Sequence, residues 1–368
     1  MKNKITILFI LFSSHFILNG QSRTSEDSTN FIQVCLILDV SGSMKGLISQ
    51  AQSHVWSLLA FMENFEKDNQ SPKIEWGVVT YGNANFGENN FIHLETDFIT
   101  DVDTLSDKLF LLKTGGGNEY APEAIHFSLE NLKWRKSEHA FKCIFIAGNE
   151  AFEQGDFDFE TARKNAQSKG IILNTIFCGK DSLGRDLGWE RAALLGAGEF
   201  ASINQNIEAE KFKTPYDNKI LKIFREYKNS FDKVEEEFFP KNDRSHFDYE
   251  IDPAYRDMLI YKYIKLKKRT DWIAKIMDGS LKFESLDKTK IPEAWSNLPL
   301  HELKKQVIKT YQKRSVSAQA MEMYLEKINE YLAINIGKTL QENTLNLAIE
   351  MIARVQLTEF GFVEKSKK

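Results

Sequence analysis

Residues 35–46 read "CLILDVSGSMKG", an apolar run that breaks into an acid and two hydroxyls. Asp39, Ser41 and Ser43 fall on alternate positions, with Val40 and Gly42 between them. The approach to this break, "FIQVCLILDV" from Phe31, has the unbroken apolar character of a strand buried on both faces. Beyond it Met44, Leu47, Ile48, Ala51, Val55, Leu58, Leu59, Met62 and Phe65 recur at three- and four-residue steps, which predicts one long amphipathic helix. A buried strand thus ends in three oxygen-bearing side chains where a helix begins.

The same alternation continues to about residue 207. "KIEWGVVTYG" and "NFIHLETDFI" read as strands, and "DTLSDKLFLLK" as a helix stopped by Gly115, Gly116 and Gly117. "APEAIHFSLENLKW" is helical, "AFKCIFIAG" a strand, and "DFETARKNAQSKG" a helix closed by Gly170. A strand "IILNTIFCG", a helix "WERAALLGAG" and a last strand "EFASIN" complete the series. Strands and helices in this order predict an α/β fold, a doubly wound and mostly parallel sheet covered on both faces. Functional sites in such folds gather at the carboxyl ends of the strands, and Asp39 lies at one.

The oxygens can be read two ways. An acid at a strand end and two serines in the next turn are hard ligands of the kind that suit Mg²⁺, Ca²⁺ or Mn²⁺. With one carboxylate in the stretch, a divalent charge is left undercompensated, and an incoming acid could complete the coordination. Alternatively, Asp39 and a serine simply cap the helix, as Asp and Ser do well.

"LDVSGSM" resembles the DxSxS signature of von Willebrand factor A domains, which carry a metal-ion-dependent adhesion site (MIDAS). The resemblance covers about residues 31–207 and extends to "IEWGVVTYG", the glycine-rich loop "TGGGNEYAPEA" and the closing strand "GEFASIN", in the family's order. It implies that Asp39, Ser41 and Ser43 hold a divalent cation, Mg²⁺ foremost, and that the cation takes a carboxylate from a protein partner. Two departures leave the rest of the site open. The second loop of the family supplies a Thr or a carboxylate; here Glu119 follows "GGGN", and Pro122 and Glu123 come two residues late, so either Glu119 or Glu123 could serve. Where the fourth strand of the family ends in Thr-Asp-Gly, this chain has "IAGNEAF", which puts Gly148 at the Asp position. Asn149 could be a neutral substitute, or the third loop takes no part.

Residues 208–368 are of a different kind. "YDNKILKIFREYKNSFDKVEEEFF" places Ile220, Ile223, Phe224, Tyr227, Phe231, Val234 and Phe238 on one helical face. "DPAYRDMLIYKYIKLKKR" begins with Asp252 as a cap and Pro253 at the first helical position. "TDWIAKIMDG" is a short helix. From Pro299 to about Ile336 there is no Pro or Gly, and one long helix is expected, its stripe of Leu303, Val307, Met321, Leu325, Ile328 and Leu332 interrupted at Arg314 and Ser315. "TLQENTLNLAIEMIARVQLTEFGFV" reads as another helix with a short extension. The shift of composition near "NQNIEAEKFKTPYDN" predicts a polar connection between two independently packed regions. A similar "AGNE" loop and helical tail occur in exported bacterial proteins with von Willebrand A domains, a resemblance that implies no function.

The N-terminus has Lys2 and Lys4, the apolar "ITILFILFSSHFIL" and then "NGQS", the layout of a signal peptide over residues 1–20, followed by a polar lead-in at 21–30. At ~14 residues the apolar segment is short for a spanning helix, although a retained anchor is the alternative. No Cys follows for lipid attachment. A periplasmic or extracellular protein without stable membrane insertion is expected. Cys35, Cys143 and Cys178 each fall in an apolar strand-like run, as buried thiols do; an odd count forbids complete pairing. A net charge of -4 argues neither for nor against nucleic acid, and the lack of a basic stripe with interleaved aromatics speaks against it. The function expected is a non-enzymatic binding or adhesion module. The alternatives are a scaffold with a vestigial metal site and an Asp-dependent phosphatase; for the latter, Ser41 stands where the second Asp, the proton donor, is needed.

Overall fold

The computed structural model describes residues 29–206, 212–231, 253–268, 271–286, 291–336 and 344–365. The signal segment, Val234, Phe238 and Asp252 lie outside the described residues.

The first strand, β1 (Phe31–Asp39), is buried along its whole length. It lies at the centre because its residues are apolar on both faces, a requirement that an edge strand does not impose. β2 (Phe65–Glu66), β3 (Lys73–Tyr81), β4 (His93–Ile99), β5 (Ala140–Gly148), β6 (Ile172–Cys178), β7 (Phe200–Ile203) and β8 (Val363–Glu364) follow. Six of them form one sheet in the order β4-β3-β1-β5-β6-β7. All its pairings are parallel except β3 with β4. The mostly parallel sheet expected from the sequence is therefore present, with one antiparallel edge.

Helices cover both faces. On one face α3 (Ala121–Asn131), α4 (Phe159–Ser168) and α6 (Trp189–Leu195) pack on Cys35, Ile37, Val79, Ile144 and Leu173. α5 (Asp181–Asp186), a six-residue helix, precedes α6 and was not legible as a helix in the sequence. On the other face α1 (Lys45–Met62) and α2 (Val102–Leu111) pack on Val34, Leu36, Leu38, Cys143 and Phe145. Every member of the stripe Met44 to Phe65 is buried, although the helix stops at Met62 and Phe65 opens β2.

The helical region after residue 212 consists of α7 (Asp217–Lys228), α8 (Pro253–Lys267), α9 (Trp272–Met277), α10 (Glu293–Ser296), α11 (Leu300–Ile336) and α12 (Leu345–Glu359). It does not pack independently, as the sequence led us to expect. Tyr227, Leu259, Met321, Ile349 and Phe362 share one continuous core with α1 and the sheet. α1 is accordingly buried on its polar side too, at Gln50, Ser53 and His54. Gln50 meets this by donating to Asn204 O at 2.8 Å and accepting from Leu345 N at 3.0 Å. β2 and β8 pair antiparallel, joining the end of the chain to the end of α1. α11 runs unbroken through the expected interruption. There Arg314 is buried, paired with Asp271 at 3.0 Å, donating to Ser230 O at 2.6 Å and lying over the Phe231 ring. No described helix is long and apolar enough to cross a membrane.

Candidate metal centre

Backbone hydrogen bonds tie three segments together at the carboxyl edge of the sheet. Val40 N donates to Tyr81 O at 2.8 Å, Gly115 N to Val40 O at 2.9 Å, and Ala84 N to Gly116 O at 2.6 Å. The glycine loop can lie this close because it carries no side chains: a Cβ at Gly117 would stand 2.8 Å from the backbone of Gly82 and Ala84. Gly82 turns the chain at φ +84°, where a residue with a side chain is strained. A Cβ there would also meet Asp39 Oδ1 at 2.8 Å, Glu119 Cγ at 3.2 Å and Ser41 Cβ at 3.4 Å. Asp39, Ser41 and Glu119 thus converge over one glycine.

Asp39 is fully buried and Ser41 nearly so, at 0% and 3% exposure. Asp39 Oδ1 accepts from Ser41 N at 2.7 Å. The hydroxyls of Ser41 and Ser43 are 3.1 Å apart, and Asn149 Nδ2 donates to Ser43 Oγ at 3.2 Å. Neither serine side chain caps the short 3₁₀ turn Gly42–Met44 or α1. The capping alternative therefore fails for the hydroxyls; only the Asp39 carboxylate makes a bond of that kind, to Ser41 N.

The electrostatics are those of a site short of positive charge. Burial first, and then the negative charge of Glu119, push Asp39 up to about 8. Glu119 is also held above its ordinary range, by burial first and by the charge of Glu150. Asp39 Oδ2 and Glu119 Oε2 are both buried without a hydrogen-bond partner. Buried carboxyl oxygens left this way on neighbouring acids are costly, and a hard cation would satisfy both at once. Among the described residues no three His, Cys, Asp or Glu side chains come together. Two carboxylates with the neutral oxygens of Ser41, Ser43 and Asn149 would make a donor set that suits Mg²⁺, Ca²⁺ or Mn²⁺ and not a thiolate-seeking metal.

Of the two candidates from the second loop, the structure brings Glu119 to Asp39. Glu123 is not brought there: it sits in the first turn of α3, where its Oε1 accepts from Asn90 Nδ2. The two-residue delay of the Pro-Glu pair has carried it one helical step away. The third loop also acquires a physical reason. A Cβ at Gly148 would lie 2.2 Å from Tyr81 Oη and 3.0 Å from Trp189 Cη2, so no Asp fits at the end of β5. Asn149, the next residue, reaches Ser43 Oγ with its amide. Tyr81 and Gly82 were missed as site residues because "TYG" reads only as the end of a strand; their importance rests on what packs against them across the sheet.

No family model matches the chain, and no curated protein matches it. Solved structures of von Willebrand factor A type are similar over about half of the chain. Proximal thread matrix protein 1 from the mussel byssus, described with a zinc-occupied MIDAS motif, is 10% identical over 47% of this chain and 42% of its own, with a TM-score of 0.36. A von Willebrand factor type A protein from Catenulispora acidiphila is 14% identical over 48% of this chain and 39% of its own, with a TM-score of 0.37. The pilus adhesin SpaC from Lactobacillus rhamnosus GG is 10% identical over 48% of this chain and 28% of its own, with a TM-score of 0.36. This chain therefore spans less than half the length of each of these three proteins.

Proposed function

We propose that the chain is an exported, non-enzymatic binding module of von Willebrand factor A type, and that Asp39, Ser41, Ser43, Glu119 and Asn149 hold a divalent cation, Mg²⁺ foremost. The observation that carries this reading is the pair of buried, unpartnered carboxylate oxygens, Asp39 Oδ2 and Glu119 Oε2, on two acids that converge over Gly82. When bound, the cation supplies an electrophilic point for an acidic side chain of a protein partner. The residues around it set its environment. The glycine loop fixes Glu119 against Asp39, Asp39 is anchored by Ser41 N, and Asn149 orients Ser43. Tyr81, buried beneath, donates to Ala147 O and is spoken for.

A hydrolase has little support in this arrangement. The nucleophile motif needs a second acid two residues after the Asp as proton donor, where this chain has Ser41, and Glu119, the acid that does stand beside Asp39, is assigned here to the cation. The scaffold reading draws on one observation, the closed space at Gly148, which leaves the third loop without its acid. The test is recovery of partners from an envelope extract on immobilised full-length protein. The proposal expects partners that are retained with Mg²⁺, lost with chelator and absent from the Asp39→Ala variant. Recovery of the same partners in all three would establish the scaffold reading instead.

A further inference from the structure

Glu119 follows a run of glycines, and glycine has the widest backbone freedom of any residue. The loop's backbone bonds to its neighbours are made at Gly115 and Gly116, ahead of the acid. The glycines allow a close approach, but they do not fix the side chain that comes after them. On the other side of Glu119 stands Tyr120, whose carbonyl accepts from Ala124 N at 3.0 Å as α3 begins.

The half-buried Tyr120 ring is met by three segments. Gly155, in the loop between β5 and α4, lies against it: a Cβ there would stand 2.7 Å from Tyr120 Cδ1, and Gly155 has φ +82°. Asn118 Nδ2 donates to Tyr120 Oη at 2.7 Å. Phe91 meets the ring at a steep angle of 65° with centroids 6.0 Å apart, a favourable aromatic geometry. To do so Phe91 adopts φ +66°, next to Asn90 at φ +52°. A left-handed backbone is unfavourable for a bulky side chain and persists only where the surroundings hold it. Here Phe91 N donates to Phe86 O at 3.0 Å, and Asn90 Nδ2 donates to Glu123 Oε1 at 2.5 Å. Both residues of this turn therefore grip the start of α3. The loop that brings Gly155 also begins with Asn149, whose amide reaches Ser43 Oγ. Tyr120 thus stands between the loop that carries Glu119 and the loop that carries Asn149.

On the reading that Asp39 and Glu119 hold a cation, we propose that Tyr120 is a positioning residue of that site, with Phe91 and Gly155 as its supports. Tyr120 supplies no ligand. Its ring, clamped by the three segments, keeps Glu119 over Gly82 beside Asp39, so that the acids are already in place for the cation.

Calorimetric titration of the full-length protein with Mg²⁺ tests this on the wild type, Asp39→Ala, Tyr120→Phe, Tyr120→Ala and Phe91→Gly. Tyr120→Phe keeps the ring and loses only the bond from Asn118, so its affinity should stay within about twofold of wild type; Tyr120→Ala should bind about tenfold or more weakly, as the loss of a group that orients a metal ligand does. Phe91→Gly removes one support while meeting the left-handed backbone without strain, and should weaken binding about threefold, the worth of a weak aromatic pair. Urea unfolding in chelator shows whether each variant is folded. A residue that only packs would lower the unfolding midpoint and leave the Mg²⁺ affinity of the folded protein unchanged. Should Tyr120→Ala not fold, Phe91→Gly decides. Wild-type affinity in folded Tyr120→Ala or in Phe91→Gly, or a Tyr120→Phe protein as weak as Tyr120→Ala, would overturn the positioning role while the cation site stands. Binding by neither wild type nor Asp39→Ala would overturn the cation site, and the positioning role with it.

Discussion

Replacing Gly148 with Ala adds one methyl group at a position where the structure leaves no room for it. The backbone there does not need glycine, since Gly148 is not among the residues with positive φ. Space alone is at issue. The new Cβ would stand 2.2 Å from Tyr81 Oη and 3.0 Å from Trp189 Cη2, in a region where Tyr81 and Trp189 are each 1% exposed and cannot swing outward. Overpacking of this kind costs about 1–3 kcal/mol. The closest atom is a hydroxyl oxygen, which allows the cause to be isolated. Tyr81→Phe removes it at a cost of about 1 kcal/mol, because Tyr81 donates to Ala147 O at 3.1 Å. With the hydroxyl gone, the nearest neighbour is Trp189, so Gly148→Ala should cost under about 1 kcal/mol in that background. The double-mutant cycle then shows a coupling of about 1–2 kcal/mol, within the range for residues in contact. Urea unfolding of the four proteins measures it. A Gly148→Ala protein as stable as wild type, or the same cost in both backgrounds, would refute the packing explanation for the missing acid.

Three further outcomes are expected. In chelator, burial and the neighbouring Glu119 hold Asp39 well above its ordinary range in the folded state; stability should therefore fall as pH rises from its unfolded value near 4 toward about 8. Urea unfolding at pH 5 and 8 checks this, and Asp39→Asn or saturating Mg²⁺ should remove that contribution. The three thiols should react slowly in the folded protein and fully on denaturation: all are buried and unpaired, and Cys35 and Cys143, although on neighbouring strands, join the cores on opposite faces of the sheet. Thiol titration with and without denaturant reads this, and fewer than three thiols after denaturation would contradict it. Arg256→Ala should destabilise by about 3–5 kcal/mol in urea unfolding, since it takes its cation away from the buried Asp217 carboxylate.

Periodicity made the sheet and the long helices legible, because apolar strands and three- and four-residue stripes report burial directly. It could not report where polar residues are buried by something remote in sequence. His54 and Gln50 fall outside the apolar stripe of α1, yet both are buried, His54 against Phe212 and Gln50 between Asn204 and Leu345. The site was legible to the same degree. Asp39, Ser41 and Ser43 stand within five residues of one another, and a short motif carries them. The choice between Glu119 and Glu123 needed the path of the glycine loop over Gly82, and Glu123 was drawn away by Asn90, which no spacing rule connects with it. The absent acid at Gly148 looked like the loss of a ligand; in the structure it is a consequence of Tyr81 and Trp189 filling that space.

Calorimetric titration with Mg²⁺ of the wild type, Asp39→Ala, Glu119→Gln and Glu123→Gln addresses the central claim most directly. The account predicts one saturable site in the wild type and an undiminished site in Glu123→Gln. Affinity should fall at least tenfold in Glu119→Gln and be lost in Asp39→Ala, with both variants folded. Equal binding by wild type and Asp39→Ala, or none by either, would contradict it.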